Sequence, residues 1–313
     1  MAAPYKEAWI TGSHDNSPFY TRTYDLPDAQ VRPKAHLIFI HGFIEHIGRY
    51  SSIFPSWVER GITVFAFDQR GFGLTATDKD NKSTKASYSK TSWKDQMEDI
   101  SFFILRERER LGPSIPFFLM GHSMGGGEVL GFVCAPPVHV KALGELKGII
   151  ASAPMLRETK PSPVWQVFLG GQLAKLLPHK EVPVPLNSAD LSHDPVVVEK
   201  YDNDPLVRKF GTLKGVTDML NQKGAALVDK HYVNWPERLP LLILHGDADG
   251  STSPRASKEF FDKLKAKVKH YSSYPGAYHE IHNEPGGVSD KSINECISWV
   301  EVQTSNSQEQ QKL

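Results

Sequence analysis

The sequence predicts an α/β fold, a mainly parallel sheet wrapped by helices on both sides, with one inserted segment lying over an end of the sheet. Three observations carry this. HLIFIH at 36–41, ITVFAFD at 62–68 and PFFLM at 116–120 are apolar runs without polar alternation, the pattern of strands buried on both faces. Stretches of helical periodicity separate these runs, as the crossovers of a parallel sheet require. From 154 to 237 the chain becomes proline-rich and loses strand-like runs, and strand character returns only at LPLLILHGDAD, 239–249.

Near the start, residues 9–12 and 19–24 flank the polar His14-Asp15-Asn16-Ser17-Pro18 and should pair as a hairpin. The strand at 36–41 leads to a helix over 50–60, ended by Gly61 before the strand at 62–68. The clearest helix spans 91–111: Trp93, Met97, Ile100 and Ile104 share a face, Thr91 or Ser92 caps the start, and Gly112-Pro113 stops it. After PFFLM comes a glycine-rich turn, then a buried helix marked by Val129, Leu130, Phe132 and Val133 and stopped by Pro136-Pro137. LKGIIAS at 146–152 is the next strand. Beyond the insertion, a helix over 254–267, a strand over 269–274 and a helix over 289–302 complete the alternation. The polar end from Ser305 predicts a disordered tail. The expected division is a core of residues 1–153 and 238–304, a cap over 154–237 and a tail over 305–313.

A chain of 313 residues suits one large α/β domain with an insertion. Lys and Arg number 36, as do Asp and Glu, so no basic field gathers phosphates and nucleic-acid binding is not expected. Cys134 and Cys296, each in an apolar stretch, suggest no disulfide framework and fit a reducing, cytoplasmic setting. MAAPYKEAW lacks the apolar core of a signal peptide, and no run approaches the ~18 apolar residues of a bilayer span. Gln311-Lys312-Leu313 distantly resembles a peroxisomal address, although a frayed polar end is the better reading.

The glycine-rich turn is GHSMG, 121–125, a G-x-S-x-G pattern between a strand and a helix. In that context Ser123 reads as a nucleophile elbow, held in a backbone region that costs roughly 1–3 kcal/mol of strain. The Met124 N–H at the start of the helix then faces a developing oxyanion. A second donor should follow an early strand, which points to the Phe43 N–H after HLIFIHG, with His41 structural behind the loop. A serine hydroxyl needs a base to take its proton. An acid and then a histidine should therefore follow, each after a later strand. Asp247-Ala248-Asp249 follows LLILHG, and Pro275-Gly276-Ala277-Tyr278-His279 follows HYSSY, with His282 close behind. Spacing leaves Asp247 against Asp249, and His279 against His282, open. His122 and His245 are expected to bond locally. HEIH at 279–282 lacks the H-E-x-x-H spacing of a zinc site, and this chemistry calls for no metal or cofactor.

HGFIEHIGRY (41–50), FDQRGFG (67–73), GHSMGG (121–126), HGDAD (245–249) and YPGAYH (274–279) together resemble the α/β-hydrolase fold and, more narrowly, the monoacylglycerol lipases. The likeness runs over roughly residues 5–302. It implies Asp249, the third residue after the glycine of G-x-x-D, as the acid, leaving Asp247 exposed, and His279 of GAYH as the base. It implies the Phe43 and Met124 N–H groups as the oxyanion hole. By the same likeness Glu45, Arg49, Tyr201 and His282 line the glycerol end of the site. Phe43 and Ile44 depart from the smaller residues of animal members, which is expected to reshape the site near the scissile bond.

The implied activity is hydrolysis of monoacylglycerols to glycerol and fatty acid. Rival activities on the same fold are a broad carboxylesterase, a lysophospholipase and a proline-releasing peptidase; a non-catalytic binding protein is a further alternative. The stretches VWQVFL at 164–169 and LAKLL at 173–177 carry large apolar residues. They are expected to line an acyl tunnel and to touch a membrane or lipid-droplet surface reversibly.

Overall fold

A computed structural model of the protein describes residues 4–12, 14–134, 139–184 and 186–310. Pro136-Pro137 and Gln311-Lys312-Leu313 fall outside them. Eight strands form the main sheet: β1 (Lys6–Thr11), β2 (Pro18–Tyr24), β3 (Ala35–Ile40), β4 (Ile62–Phe67), β5 (Phe117–His122), β6 (Leu146–Ser152), β9 (Leu241–Gly246) and β10 (Lys269–Tyr274). The separate pair β7 (Glu181–Pro183) and β8 (Phe210–Thr212) lies between β6 and β9 in sequence. The main sheet runs β1-β2-β4-β3-β5-β6-β9-β10. β1 and β2 pair antiparallel, and β2 joins β4 antiparallel; every other pairing is parallel. The strand reversal beside β3 brings the loops after β3 and β5 to the carboxyl edge of the sheet, where ligands of open α/β sheets bind.

The inner strands alternate their side chains between two cores. From β3, Ile38 and Ile40 face one and Leu37 and Phe39 the other; from β9, Leu241 and Ile243 oppose Leu242 and Leu244. The first core is closed by α3 (Trp93–Leu111), α4 (Met124–Cys134), α5 (Val140–Gly144), α9 (Gly224–Asp229) and α10 (Pro254–Lys263). The second is closed by α1 (Phe54–Glu59) and α11 (Val288–Gln310). The short α2 (Gly73–Thr77) packs beside β2, and α6 (Val164–Leu176), α7 (Pro195–Asp202) and α8 (Leu213–Thr217) belong to the stretch that holds β7 and β8. A π-helical turn at Asp218–Lys223 links α8 to α9.

Several boundaries differ from the sequence reading, for local reasons. The helix expected over 50–60 is a 3-10 turn, Ile47–Tyr50, followed by α1, because Pro55 fits only the first turn of a helix. Of the two cap candidates for α3, Ser92 accepts the Asp95 N–H at 3.2 Å. α10 stops at Lys263, where Leu264 turns extended and buries. α11 runs to Gln310, through positions expected to be a disordered tail. Gln303 and Thr304 are buried near its end, and propagating a formed helix costs little per residue. β7 and β8, three residues each, are too short to show a period.

Candidate active site

β5 delivers Ser123 to the carboxyl edge of the sheet and α4 leaves directly after it. Ser123 has φ +54°, the left-handed region that a non-glycine residue occupies only when its surroundings force it. The bonds that force it run through its own backbone: Ser123 N–H donates to Ser152 O at 3.0 Å, and Ser123 O accepts from Gly127 N–H at 3.0 Å and Met155 N–H at 2.8 Å. The flanking glycines are obligatory here. A Cβ on Gly121 would lie 2.1 Å from Gly125 O, and one on Gly125 would lie 2.3 Å from Ile40 O. β5, α4 and the end of β3 can meet this closely only without those side chains.

The loop after β3 reaches the serine. A Cβ on Gly42 would sit 3.1 Å from the Ser123 Cβ, so the Gly42-Phe43 backbone passes against the nucleophile. Ile44 in this loop is also left-handed, at φ +51°. Glu45 pins the turn by accepting the Gly42 N–H at 2.5 Å. His41 stays behind the loop, with Nδ1 2.7 Å from Gly42 O and Nε2 accepting from Gln69 N–H at 2.8 Å.

His279 follows β10 and Asp249 follows β9. His279 Nδ1 lies 2.7 Å from Asp249 Oδ2, and both side chains are buried. Burial disfavours the charged imidazole, but the adjacent Asp249 charge outweighs it and raises the His279 pKa above 6.5. Burial likewise opposes the Asp249 carboxylate, yet His279 and His245 hold its pKa well below the usual range. Its oxygens accept from Ser251 N–H at 2.7 Å, Thr252 N–H at 2.9 Å and the Thr252 hydroxyl at 2.8 Å. His245 Nε2 lies 3.0 Å from the same carboxylate. Asp247 is exposed and accepts the Gly276 N–H at 2.6 Å. With Nδ1 engaged, Nε2 is the nitrogen of His279 left for a reaction. Among the described residues no hydrogen bond joins the Ser123 hydroxyl to this ring; the two side chains share one cavity.

That cavity has about 750 Å³. Ser123, His279, Phe43, Glu45, Arg49 and Tyr201 line it, as do apolar residues such as Val167, Leu191, Val216 and Leu220. Met124 is buried beside it, in a cluster with Phe43 and Phe72. His282 does not reach the cavity wall: it is buried and stacked on Tyr50, centroids 4.8 Å apart, and burial lowers its pKa to about 4. His122 does line the cavity, but its Nδ1 makes no hydrogen bond among the described residues, contrary to the local bonding expected of it. Burial, then its neighbours His279 and His282, keep it neutral, well below 6.5.

Sequence reasoning missed Glu280. Its carboxylate binds Arg49 through Oε1 to Nη1 at 2.7 Å and Oε2 to Nη2 at 2.9 Å, and it lines the cavity. Its only signal in the sequence is its place beside His279 in HEIH, whose spacing fits no zinc motif. Among the described residues no cluster of His, Cys, Asp or Glu could hold a metal ion. Cys134 and Cys296 are buried free thiols.

Fold and catalytic chemistry define a class: this is a serine hydrolase of the α/β-hydrolase fold. A hydrolase family described as serine aminopeptidase, S33, matches residues 31–286. The "Putative monoglyceride lipase" of Schizosaccharomyces pombe is 34% identical over 283 residues, covering 89% of this chain and 70% of that protein. The monoacylglycerol lipase of Mycolicibacterium smegmatis is 29% identical, covering 88% of this chain and 91% of its own. The crystal structure of a soluble variant of Saccharomyces cerevisiae monoglyceride lipase, in complex with a substrate analog, superposes with a TM-score of 0.82 at 25% identity, over 97% of this chain and 96% of that one. The chain belongs to the serine aminopeptidase, S33 family and, within it, sides with the monoglyceride lipases.

Proposed function

We propose that the protein hydrolyses monoacylglycerols to glycerol and free fatty acid. The observation that carries this is that Ser123, at a strained strand-to-helix turn, and an Asp249-paired His279 open onto one cavity with apolar walls and a polar end. His279 Nε2 takes the proton as Ser123 Oγ attacks the ester carbonyl, and Asp249 stabilises the imidazolium that forms. The Phe43 and Met124 N–H groups hold the oxyanion, each worth about 3–4 kcal/mol in such sites. The His279 proton leaves with glycerol, and water then frees the acyl-enzyme.

The acyl chain lies along the apolar wall and the glycerol faces Glu45, Arg49 and Tyr201. His282 supports this end from behind, through Tyr50, without touching the substrate. Residues 154–237 act as a cap on a core of 1–153 and 238–304. Trp165 and Phe168 on α6, both 66% exposed, dock the cap reversibly on a cytoplasmic-facing membrane or lipid-droplet surface. No described helix is long and apolar enough to cross a membrane.

A substrate panel tests the reading: monooleoylglycerol, short p-nitrophenyl esters, lysophospholipids and prolyl anilides. Monooleoylglycerol should give the highest kcat/KM, and Ser123→Ala should lower kcat by about 10⁴-fold or more. A preference for prolyl anilides, or undiminished turnover in the variant, overturns it.

A further inference from the structure

Tyr88 lies in the long connection from α2 to α3, does not line the cavity, and has no task in the mechanism above. It is nevertheless buried, in one apolar cluster with Phe43 and Met124, the two residues whose N–H groups hold the oxyanion in that mechanism. Its ring meets Phe72 edge-on, centroids 5.9 Å apart, and Phe72 meets Phe43 in the same way at 5.5 Å. The Tyr88 hydroxyl sits between two backbones. Ile44 O and Leu206 O, each 3.1 Å away, share its single proton, and its oxygen accepts Arg208 N–H at 2.9 Å. Burial holds the phenol pKa above its ordinary value, so the proton stays in place at neutral pH.

Ile44 is the point at which the oxyanion loop needs holding. A β-branched residue at φ +51° is strained and persists only where its surroundings impose that conformation. Glu45 pins the loop at Gly42 N–H, and Tyr88 pins it at Ile44 O. The Phe43 N–H lies between these two bonds in the chain, so both constrain its direction. Tyr88 is itself anchored through its neighbour. Ser89, left-handed at φ +57°, donates its N–H to Gly71 O at 2.6 Å. Ser89 also grips Thr212, accepting its N–H at Oγ, 3.1 Å, and its hydroxyl at the carbonyl oxygen, 2.7 Å. β8 then passes against Phe43, because a Cβ on Gly211 would lie 2.8 Å from Phe43 Cζ. Deleting the phenol hydroxyl would take a partner from Ile44 O, Leu206 O and Arg208 N–H at once.

We infer that Tyr88 is a positioning residue for the hydrolysis: its hydroxyl holds Ile44 O so that the Phe43 N–H stays aimed at the place where the oxyanion forms. This rests on the ester-hydrolysis reading above and adds to it a residue that touches neither substrate nor reacting atoms. Tyr88→Phe keeps the ring and deletes the hydroxyl. With monooleoylglycerol it should lower kcat about tenfold and change KM less than about twofold, because the donor is misaimed while the cavity survives. Dodecyl trifluoromethyl ketone adds the Ser123 oxygen at its carbonyl carbon, which puts the ketone oxygen in the oxyanion hole. Its Ki should rise about tenfold in the variant, in step with the loss in kcat/KM. A residue that served stability alone would lower the melting temperature and leave kcat and the ketone Ki unchanged; that result overturns the inference and leaves the lipase reading intact. If the unmodified protein fails to hydrolyse monooleoylglycerol while a fluorophosphonate labels Ser123, the lipase reading falls, and the ketone comparison still decides the role of Tyr88. Amide exchange in the unmodified protein gives a test without any variant. Trifluoroacetone, which carries no acyl chain to fill the cavity, should slow exchange at Arg208, whose N–H ends on the Tyr88 oxygen, because filling the oxyanion hole tightens the loop that Tyr88 holds. Unchanged exchange there counts against the inference.

Discussion

Glu128 in α4 is fully enclosed, and no hydrogen bond of ordinary geometry reaches either of its oxygens among the described residues. Burial, first, raises its pKa to about 8; Gln69 opposes the shift and the Asp99 charge adds to it. The folded chain therefore keeps this proton over a range in which the unfolded chain, with its ordinary carboxyl at 4.5, has lost it. Stability falls with rising pH wherever the folded state holds more protons. The window runs from about 4.5 to about 8, and at about 1.4 kcal/mol per unit the loss is on the order of 5 kcal/mol. Glu128→Gln should flatten the fall of melting temperature across that window and be the more stable protein near its alkaline end. Parallel pH profiles of the two proteins would refute it. Chain order leads to Ser123 after β5, to an acid after β9 and to a base after β10. Order leaves Asp247 against Asp249 and His279 against His282 open, and only with the family resemblance were Asp249 and His279 legible. Glu280 was not, because its role is set by Arg49, which is remote in sequence and adjacent only in the fold. His282 shows the converse: its position beside the base suggested the cavity, but the turn at Ile281–Asn283 points it into the stack with Tyr50.

The strands of the core were legible because each is a run of six or seven residues buried on both faces, and composition alone marks such runs. Elements in the insertion were not, since β7 and β8 gain their order from packing rather than from periodicity. α6 lies between these cases. It carries apolar residues on more than one side: Val167 and Gly170 line the cavity, while Trp165, Phe168 and Leu176 are 66%, 66% and 78% exposed. A helix buried on one side that keeps large apolar groups in water on the other needs a partner surface. Burying an aromatic side chain contributes about 1.5–3 kcal/mol. Replacing Trp165 and Phe168 together with Ser should therefore weaken sedimentation with phosphatidylcholine vesicles by at least about tenfold, while hydrolysis of a short soluble ester changes little. Unchanged partitioning would remove α6 from the docking surface.

At the scale of the whole molecule, the insertion is bonded to each loop that carries a candidate catalytic group. Beside the acid, the Thr159 hydroxyl donates to Asp249 O at 2.9 Å. Beside the oxyanion loop, the Tyr88 hydroxyl bridges Ile44 O and Leu206 O, each at 3.1 Å, and Phe43 packs among Val184, Phe210 and Val216. Beside the base, His279 N–H donates to Asp190 O at 3.3 Å and Glu280 N–H to Leu191 O at 2.7 Å. The buried Glu284 closes this last contact, accepting Tyr278 N–H at 2.7 Å and His193 N–H at 3.3 Å, while the His193 and Tyr278 rings stack 3.7 Å apart. A segment tied in this way cannot shift at residues 190–193 without pulling on the backbone that sets the His279 ring. Glu284→Ala should thus speed amide hydrogen exchange in two places at once, at His279 and Glu280 and across the facing 190–193 stretch. It should also lower kcat about tenfold with a smaller change in KM, because the base is mispositioned while the cavity survives. Were faster exchange confined to residues 278–284, the 190–193 stretch and the loop that carries His279 would be separate units.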